Sequence, residues 1–416
     1  MRRLIPIVLI VVLVVAGAAT SVRAAANVTL TFWDTANEQE QVAMKKITAD
    51  CQAAISGLTV NYEYVPFDQG QNKFKTAAQA NNAPDVMRSE IAWTPEFAAL
   101  GFLADITDKL TQEDKDDFLP APMAYNIYKD KVYGLPQVTD APAMLYNKAL
   151  FKAAGLDPEK PPKTMDEFVE AAQKLTKPDG SQYGYILTDG SYFFQPFMWA
   201  FGGGLIDAKD LSIHIADQGT VDALHFVLDL RDKYKVMPAQ FDPANQYTNS
   251  LTAFKEGKVA ILFNGPWARG DILSGSAFKD PANLGVAPIP AGPKGQGSPV
   301  GGHNYTIYAG SPNIDVAYQF ISCMASTKSQ IAQAKANGTL PTRKSAYEDP
   351  DLKKDAILQG FLEQMKVATN RPVIPEGGQI YDAFDKAWTA VLTGTAKPED
   401  AVKDIEKAWK VLLKQS

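Results

Sequence analysis

The feature that most restricts how this chain can fold is an alternation of strand and helix patterns near its start. Val28–Trp33 alternates, is rich in β-branched and aromatic residues, and predicts a first strand. Glu40–Ile55 has apolar residues at helical spacing and ends at Gly57, which is typical of a helix C-terminus. The next predicted elements are a strand over 58–65, a short helix over 72–80 and a strand over 85–87. This β-α-β-α-β order predicts a parallel sheet covered by helices.

The rest of the chain continues the α/β pattern. Thr164 is predicted to cap a helix, with Glu167 completing a capping box. The Pro- and Gly-rich stretch Pro288–Gly302 predicts a loop and a candidate domain crossing. The later periodic segments predict a strand over 259–263 and helices over 219–234, 316–326, 381–392 and 398–413.

Length and composition are those of a globular protein with more than one domain. The chain has 416 residues, 46% hydrophobic and 21% charged, which excludes disordered, collagen-like and disulfide-dense classes. A typical domain of about 150 residues predicts two or three domains. Only three histidines are present, which argues against a His-rich metal site. We interpret Cys51 and Cys323 as buried small hydrophobes, with a single disulfide between them as the open alternative.

The amino terminus has the pattern of a secretory signal. Arg2 and Arg3 precede an apolar run over 4–17, and small residues favour cleavage after Ala24. An uncleaved anchor is the alternative, although the run is shorter than the roughly 20 residues that a spanning helix needs. No cysteine follows the run, so no lipid attachment is predicted. Removing residues 1–24 deletes three arginines and no acid, which lowers the net charge from −6 to −9. Nucleic acids and anionic membranes are therefore poor partners.

Searches for catalytic motifs find none. The sequence has no GxSxG, HExxH, Walker P-loop or EF-hand pattern. Gly202–Gly204 lacks the spacing of a nucleotide cradle and predicts a turn. His214 and His225 have no partners at ligand spacing and are interpreted as structural. The two facing carboxylates of a glycosidase cannot be identified in an acidic chain by sequence alone.

Aromatic residues mixed with polar ones are the positive signal. Tyr192–Phe201 contains six aromatics in ten residues, most of which suit a buried helix. Trp267 directly follows a predicted strand, and Trp33, with Asp34 and Glu38 after it, ends the first strand. Ligands collect at the carboxyl ends of strands in open parallel sheets. Aromatic faces can stack on pyranose rings while carboxylates accept hydrogen bonds from hydroxyls, so this pattern favours a sugar pocket.

Seven stretches together give the mature chain a family resemblance. They are Ala83–Trp93, Gly134–Lys148, Phe254–Ala260, Asn264–Trp267, Gly301–Asn304, Pro341–Arg343 and Arg371–Pro375. In this order and spacing, they resemble the extracellular sugar-binding subunits of ABC importers, specifically maltose/trehalose/maltooligosaccharide-binding proteins. The resemblance implies an α/β, two-lobe periplasmic-binding-protein fold. Each lobe is a mixed sheet flanked by helices, and several crossing segments form a hinge. The implied N-terminal lobe is 27–138 plus 290–312, and the implied C-terminal lobe is 139–285 plus 313–416.

The resemblance also implies ten ligand-binding residues. Glu38, Glu90 and Asp140 match acids that bind sugar hydroxyls, and Arg371 matches an arginine that donates to hydroxyls. Trp267 matches an aromatic platform, and Tyr192 is assigned to another. The remaining implied residues are Asn37, beside Glu38; Gly302 and His303, where the family has a glycine followed by an aromatic; and Tyr381, where maltodextrin binders place a stacking tryptophan. His303 and Tyr381 depart from the family pattern, which leaves the identity of the sugar open.

We therefore predict a binding protein and not an enzyme. A neutral di- or oligosaccharide would enter an open cleft, the lobes would close on it, and membrane permease subunits would receive it. No cofactor or metal is expected, and the protein is expected to be an exported monomer in the periplasm or at the extracellular face. The alternatives are the same fold binding another oligosaccharide, a polyol or its phosphate, or a peptide, and a secreted glycoside hydrolase or lyase.

Overall fold

Two large sheets and one two-stranded sheet organise residues 27–415, the part of the chain that the computed structural model describes. The predicted signal segment, 1–24, lies outside the described residues. The strands are β1 Val28–Asp34, β2 Leu58–Tyr64, β3 Val86–Glu90, β4 Ile127–Tyr128, β5 Lys131–Val132, β6 Gly134–Asp140, β7 Ala143–Asn147, β8 Tyr183–Ile186, β9 Val259–Asn264, β10 Leu284–Ala287, β11 Gly301–Ile307 and β12 Leu340–Pro341.

Helices flank both sheets. They are α1 Glu38–Ala54, α2 Phe67–Gln79, α3 Trp93–Ala99, α4 Gln112–Asp117, α5 Pro120–Ala124, α6 Lys148–Ala153, α7 Met165–Leu175, α8 Ser191–Ala200, α9 Gln218–Asp232, α10 Gln246–Lys255, α11 Arg269–Ser274, α12 Ile314–Met324, α13 Thr327–Asn337, α14 Pro350–Lys354, α15 Ala356–Met365, α16 Ile380–Leu392 and α17 Pro398–Leu412. Within the described residues, no helix is long and apolar enough to cross a membrane.

The first sheet has the strand order β12-β6-β11-β3-β1-β2. β1 runs parallel to β2 and β3, as the β-α-β-α-β pattern predicts, while β11 is antiparallel to both of its neighbours, β3 and β6. The two faces bury different side chains of the same strands. Leu30 and Phe32 point toward α1 and α12, whereas Trp33 packs with Phe74 and Phe97 of α2 and α3.

The second sheet has the order β10-β7-β9-β8 and is also mixed. Its strands alternate between two cores, as period-2 geometry requires. Ile261 and Phe263 of β9 pack into a core with α7, α8, α9, α16 and α17. Leu262 faces the opposite core, which α10, α11 and α15 cover. The expected α/β fold with two mixed, helix-flanked sheets is therefore confirmed.

Three connections join the two sheets. Residues 141–142 link β6 to β7, and 288–300 link β10 to β11, so the predicted Pro/Gly-rich loop does run between sheets. The third connection follows β12, since β12 still pairs with β6 of the first sheet. Short connections of this kind allow two rigid bodies to rotate about a common hinge.

The boundary expected at residue 312 differs from the packing. α12 lies on the first core through Ala317, Phe320, Ile321 and Met324, and α13 packs against α1. Residues 313–337 thus belong with the first lobe. A prediction from sequence cannot see this because the assignment depends on contacts with a helix nearly 300 residues earlier.

Cys51 and Cys323 form a disulfide between α1 and α12. Their Cα atoms are 5.8 Å apart, and Cys51 is almost fully buried. The interpretation of both as unbonded small hydrophobes is therefore wrong, and the alternative that we left open is correct. The covalent bond fixes α12 to the first lobe.

The predicted N-cap of α7 forms, but the predicted capping box does not. Thr164 caps α7 by accepting a hydrogen bond from the Glu167 backbone nitrogen (3.2 Å). The Glu167 side chain accepts from the Lys163 nitrogen instead of closing the box on Thr164 (2.7 Å). A complete capping box does form at α1, where Asn37 and Glu40 satisfy each other's backbone nitrogens.

Candidate functional site

The strand ends of the first sheet gather the predicted residues at one edge. Because β1, β2, β3 and β6 all run in the same direction, their carboxyl ends lie together. Glu90 and Asp140 are the last residues of β3 and β6. The antiparallel β11 begins at this edge, so Gly302 and His303 lie between them, with His303 paired to Glu90. α1 and α2 begin just beyond the same edge.

The second sheet contributes its own carboxyl-terminal edge. β8 and β9 are parallel, and Ala143, at the start of β7 beside the first connection, pairs with Asn264 at the end of β9. Trp267 follows β9 directly, and Tyr192 lies in the first turn of α8, after β8. The two edges therefore face each other across the connections, which is where a ligand can touch both lobes.

A buried ion pair occupies the centre of this junction. Arg371 is 5% exposed, and its Nη2 donates to Oε1 of Glu90. Its Nε donates to the Val300 carbonyl oxygen (2.9 Å), and the Tyr125 hydroxyl donates to the Arg371 carbonyl oxygen (3.1 Å). Burial opposes the charge on Arg371, but the Glu90 carboxylate holds the pKa of Arg371 well above its ordinary value. The pair joins the first sheet to the segment that precedes α16.

Asp140 is the second buried acid of the junction. Burial raises the pKa of Asp140 to about 7, against the opposing influence of Arg371. Its surroundings are tight, because a Cβ atom at Gly301 would lie 2.3 Å from Asp140 Oδ1 and 2.5 Å from the Tyr192 hydroxyl oxygen. Gly301 thus allows the carboxyl group and the phenol to approach each other. A carboxyl group in this position suits hydrogen bonds with an incoming polar ligand.

Two tyrosine rings flank the Arg371 guanidinium. Its central carbon lies 5.4 Å from the Tyr192 ring centroid and 5.7 Å from that of Tyr381, within the range of cation–π attraction. The Tyr192 hydroxyl donates to the Pro299 carbonyl oxygen (3.1 Å). The Tyr381 hydroxyl accepts from Nε2 of Gln195 (3.0 Å). Tyr192 and Tyr381, both predicted from the resemblance, are thus brought to the same charged group.

Trp267 stands at the edge of an aromatic group on the second lobe. Its ring centroid is 6.4 Å from those of Tyr192 and Phe193, and its Nε1 donates to the Tyr247 hydroxyl (3.0 Å). Gly265 is required beneath the indole, since a Cβ atom there would lie 1.9 Å from the ring. The hydrogen bond and the close backbone hold the indole in one orientation, which suits a stacking platform.

Gly302 and His303 form the floor between the acids. Gly302 has φ 134°, and a Cβ atom would lie 2.2 Å from the Val138 carbonyl oxygen, so only glycine fits. Both His303 ring nitrogens are buried, and neither has a hydrogen-bond partner within residues 27–415. Burial, aided by Arg88 and Arg371, holds the pKa of His303 well below its usual range. The imidazole is neutral and has unused donor and acceptor capacity.

Asn37 and Glu38 lie at the mouth of the junction and not at its centre. The Oδ1 atom of Asn37 caps α1 by accepting from the Glu40 backbone nitrogen. Its Nδ2 atom points to the other lobe and lies 3.5 Å from the Trp267 carbonyl oxygen. Glu38, the first residue of α1, is exposed. The remaining eight predicted residues are brought together, and these two are brought to the rim above them.

A second buried charge cluster supports the rim from below. Arg88, which is 1% exposed, lies 3.8 Å from Asp34 and 3.5 Å from Glu40, and its Nε donates to Oε1 of Gln137 (2.7 Å). Glu40 also accepts from the Asn37 backbone nitrogen (3.2 Å). Asp34 is therefore a buried structural acid that helps to hold the start of α1.

Sequence reasoning missed the residues that position the site. Tyr125 holds the backbone of Arg371, Gln195 holds Tyr381, and Tyr247 holds Trp267. Each comes from a different element from the one it supports. Gln195 carried a usable signal, as a polar residue inside the apolar aromatic run of α8. Within residues 27–415, no group of three or more His, Cys, Asp or Glu is disposed to hold a metal ion.

The chain is similar to bacterial solute-binding proteins over most of its length. The profile of the family described as bacterial extracellular solute-binding protein matches residues 35–331. The maltotriose-binding protein of Pyrococcus abyssi is 26% identical over 367 residues, which cover 87% of this chain and 77% of that protein.

Solved structures give the same result at the level of the fold. The GacH receptor of Streptomyces glaucescens, solved unliganded and with acarbose or an acarbose homolog, is 38% identical with a TM-score of 0.87. The match covers 93% of this chain and 98% of that one. The maltose-bound MalE3 of T. maritima is 27% identical with a TM-score of 0.83, and the match covers 92% and 99% of the two chains.

Proposed function

The chain belongs to the bacterial extracellular solute-binding protein family, and we propose that its cleft binds a maltose-, maltodextrin- or trehalose-type sugar for delivery to an ABC importer. The relatives named above bind maltotriose, acarbose and maltose. The role is therefore that of a sugar-binding transport protein and not of an enzyme.

One observation carries the choice of a neutral sugar. Glu90, Asp140 and Arg371 meet at the junction of the lobes beside the rings of Tyr192 and Tyr381. Carboxyl groups and a guanidinium can bind hydroxyls, each charge-assisted hydrogen bond contributing on the order of 1.5–3 kcal/mol. The aromatic rings match the apolar faces of pyranose rings. An anionic ligand would instead favour a cleft with an excess of cations.

We infer a mechanism of hinge closure. Sugar enters between the lobes, stacks on the aromatic rings, and takes hydrogen bonds from both sides of the cleft. Glu90 belongs to the first lobe, while Trp267 and Tyr381 belong to the second, so a bound sugar gains contacts when the lobes approach. The sugar stabilises the closed state only by this difference in contacts. Permease subunits then recognise the closed form.

The remaining parts of the proposal concern export and assembly. We infer that the chain is exported with cleavage after Ala24, that it acts as a monomer outside the cytoplasm, and that it requires no cofactor. Membership of an extracellular family and the signal-like sequence support export. Mass spectrometry of the secreted protein should find Ala25 as its first residue.

Thermal unfolding against a sugar panel tests the proposed function. Residues 25–416 are heated with mono-, di- and oligosaccharides, a polyol, a polyol phosphate and a peptide mixture. A ligand at about 100 times its dissociation constant adds roughly 2.7 kcal/mol to the free energy of unfolding. We expect the midpoint to rise with maltose, trehalose or maltodextrins and the sugar to be recovered intact.

Other outcomes would contradict the proposal in different ways. A rise with a galactoside, a polyol or a peptide alone would keep the family and replace the ligand. A flat response to every glucoside would reject the ligand class. Cleavage of the sugar during the assay would reject the role as a pure binding protein.

A further inference from the structure

The first turn of α8 has no cap from its own sequence. α8 begins at Ser191, and the residue in the N-cap position, Gly190, has a positive φ of 95° and no side chain that could accept a hydrogen bond. The first backbone N–H groups of a helix have no partner inside the helix. An acceptor from another element can therefore stabilise this turn, which carries the predicted sugar-binding residue Tyr192.

Asp385 of α16 supplies that acceptor. Its Oδ1 atom accepts a hydrogen bond from the Ser191 backbone nitrogen (2.7 Å), although the two residues are 194 positions apart in the sequence. A carboxylate in this place also faces the partial positive charge of the helix N-terminus. Asp385 therefore does for α8 what an N-cap side chain does for other helices.

A second hydrogen bond joins the same two helices one turn further along. Nε2 of Gln195 donates to the Tyr381 hydroxyl (3.0 Å). Ser191 and Gln195 are four residues apart on α8, so they lie on one face of that helix. Tyr381 and Asp385 are related in the same way on α16. The two hydrogen bonds thus connect one face of α8 to one face of α16 at successive turns.

These two hydrogen bonds fix the tyrosine rings that flank Arg371. The rings of Tyr192 and Tyr381 lie 5.4 and 5.7 Å from the guanidinium carbon. Tyr381 belongs to α16 itself, and Tyr192 follows directly after the residue whose N–H Asp385 binds. Without the cap the first turn of α8 frays more easily, and a sugar has to order that turn when it binds. Ordering a segment on binding lowers the affinity.

Core packing between the two helices does not replace this contact. Phe384 and Trp388 of α16 are buried against Phe194 of α8, with ring centroids 6.0 and 4.7 Å apart. Those rings hold the helices side by side, but aromatic carbons accept no hydrogen bond from the start of α8. Asp385 is exposed to solvent and adds nothing to that core. Its contact with Ser191 is therefore separate from the packing of the lobe.

We propose that Asp385 is a positioning residue for sugar binding, which holds Tyr192 in place by capping α8 from α16. This inference rests on the proposed sugar-binding function. Asp385 acts through the first turn of α8 and not by touching the sugar. The ring of Tyr192 is then in its binding position before the sugar arrives, so less order has to be imposed when the complex forms.

Titration calorimetry and hydrogen exchange of Asp385→Ala test this role. We expect the affinity for maltotriose to fall about fivefold, as the loss of a typical N-cap predicts. Amide exchange of residues 191–194 in the sugar-free protein should become faster. Asp385→Asn keeps an acceptor oxygen in the same place, so its affinity should stay within about twofold of the wild type and its exchange should be slow.

Thr164→Ala is the matched control. It removes the N-cap of α7, a helix of similar length that packs on the same core as α8. The thermal midpoint should fall in both Thr164→Ala and Asp385→Ala, whereas affinity should fall only in Asp385→Ala. A purely structural role of Asp385 would instead lower the midpoint and leave the affinity unchanged, as in the control.

The outcomes separate the possible failures. Unchanged affinity in folded Asp385→Ala, a loss without faster exchange of residues 191–194, or an equal loss in Asp385→Asn would overturn the positioning role and leave the proposed function intact. Wild-type protein that binds no sugar of the panel would overturn the proposed function, while the exchange of residues 191–194 would still report whether Asp385 caps α8. Because Asp385 is exposed, both variants should fold, and their thermal midpoints check that they do.

Discussion

At the scale of single residues, Asp140 should make stability depend on pH near neutrality. Its pKa is about 7 in the folded protein, against an ordinary value near 3.8, because burial disfavours the charge. Between these values the folded chain keeps a proton that the unfolded chain has lost, so stability falls as pH rises toward 7. For the sugar-free protein, we expect deprotonation of Asp140 to lower the free energy of unfolding by roughly 3 kcal/mol between pH 5 and pH 8.

Urea unfolding of Asp140→Asn measures this contribution. Between pH 5 and pH 8 the free energy of unfolding should fall in both proteins, but in the variant it should fall by roughly 3 kcal/mol less than in the wild type. Arg371 and Glu90 also act on Asp140 and remain in both proteins. Asp179→Asn is a suitable control, since the Ser181 hydroxyl and backbone nitrogen donate hydrogen bonds to Asp179, which lower the pKa of this carboxyl group and keep its titration outside this range. Parallel pH profiles of wild type and Asp140→Asn would contradict the prediction.

Trp267 should contribute to sugar affinity through its face. Trp267→Ala removes the platform and is expected to weaken sugar binding by about 1–3 kcal/mol. The fold should survive because the indole is only partly buried. Trp267→Phe keeps an aromatic face but loses the hydrogen bond to Tyr247, and a smaller loss is expected. Titration calorimetry of the three proteins with one sugar measures these losses. An unchanged affinity in Trp267→Ala would show that the Trp267 ring does not stack on the sugar.

Much of the site can be predicted from the sequence and the family resemblance, but the residues that hold the site residues in position cannot. Trp267 follows a strand that the hydrophobic pattern predicts. Glu90 and Asp140 come only from the family resemblance, because the pattern ends the third strand at residue 87 and predicts no strand over 134–140. Tyr247 and Tyr125 cannot be predicted from local patterns, because the residues to which they hydrogen-bond lie 20 and 246 residues away in other elements. Asp34 shows the opposite limit. It follows a strand as a binding acid would, yet Arg88 and Tyr62 bury it as part of the scaffold.

At the scale of secondary structure elements, the disulfide between α1 and α12 should stabilise the first lobe. The bond closes a loop across 272 residues, and crosslinks over long loops typically contribute about 2–5 kcal/mol. The double variant Cys51→Ala, Cys323→Ala should therefore unfold at a lower temperature than the oxidised wild type. Reduction of the wild type with a thiol should produce a similar loss.

Sugar affinity at 25 °C should not follow this loss. Cys51 lies 14 residues along α1 from Asn37, or about 21 Å of helix, so the rim of the cleft keeps its geometry. Affinity in the double variant within about twofold of the wild type is the expected result. A large loss of affinity in folded protein would mean that the bond positions the start of α1.

The elements were predicted well where periodicity is local and poorly where packing decides. β1, α1 and β9 agree with the sequence to within two residues at each end. α2 begins at Phe67 and not at residue 72, because an exposed first turn after Pro66 has no apolar repeat to mark it. The placement of α12 in the first lobe depends on a core that includes Leu30 and Phe32 from the other end of the chain.

At the scale of the whole molecule, Glu96 and Gln379 should help to hold the lobes together. Glu96 is 5% exposed on α3 and accepts hydrogen bonds from Gln71 (2.6 Å) and Lys75 (2.9 Å) of its own lobe. It also accepts from Nε2 of Gln379, just before α16 (3.1 Å). Gln379→Ala removes only the contact between lobes. Without this hydrogen bond the closed state should be about 1 kcal/mol less stable. We therefore expect sugar affinity to fall about fivefold.

A hydrogen bond of the same kind within one lobe provides the control. Gln218, the first residue of α9, donates its Nε2 to Asp222 on the same helix (2.8 Å). Gln218→Ala should leave affinity unchanged, and the dissociation rate of sugar should rise only in Gln379→Ala. Equal affinities in both variants would show that this contact adds nothing to closure.

The strand order of the first sheet has a consequence for how the protein is made. β11 lies between β3 and β6, so the middle of the first sheet is missing until residues 301–307 of a 416-residue chain have left the ribosome. The non-local pairing of β11 with strands more than 160 residues earlier also makes folding slow. The nascent chain therefore stays without its first domain for most of its synthesis, the condition in which it can be threaded through a narrow pore.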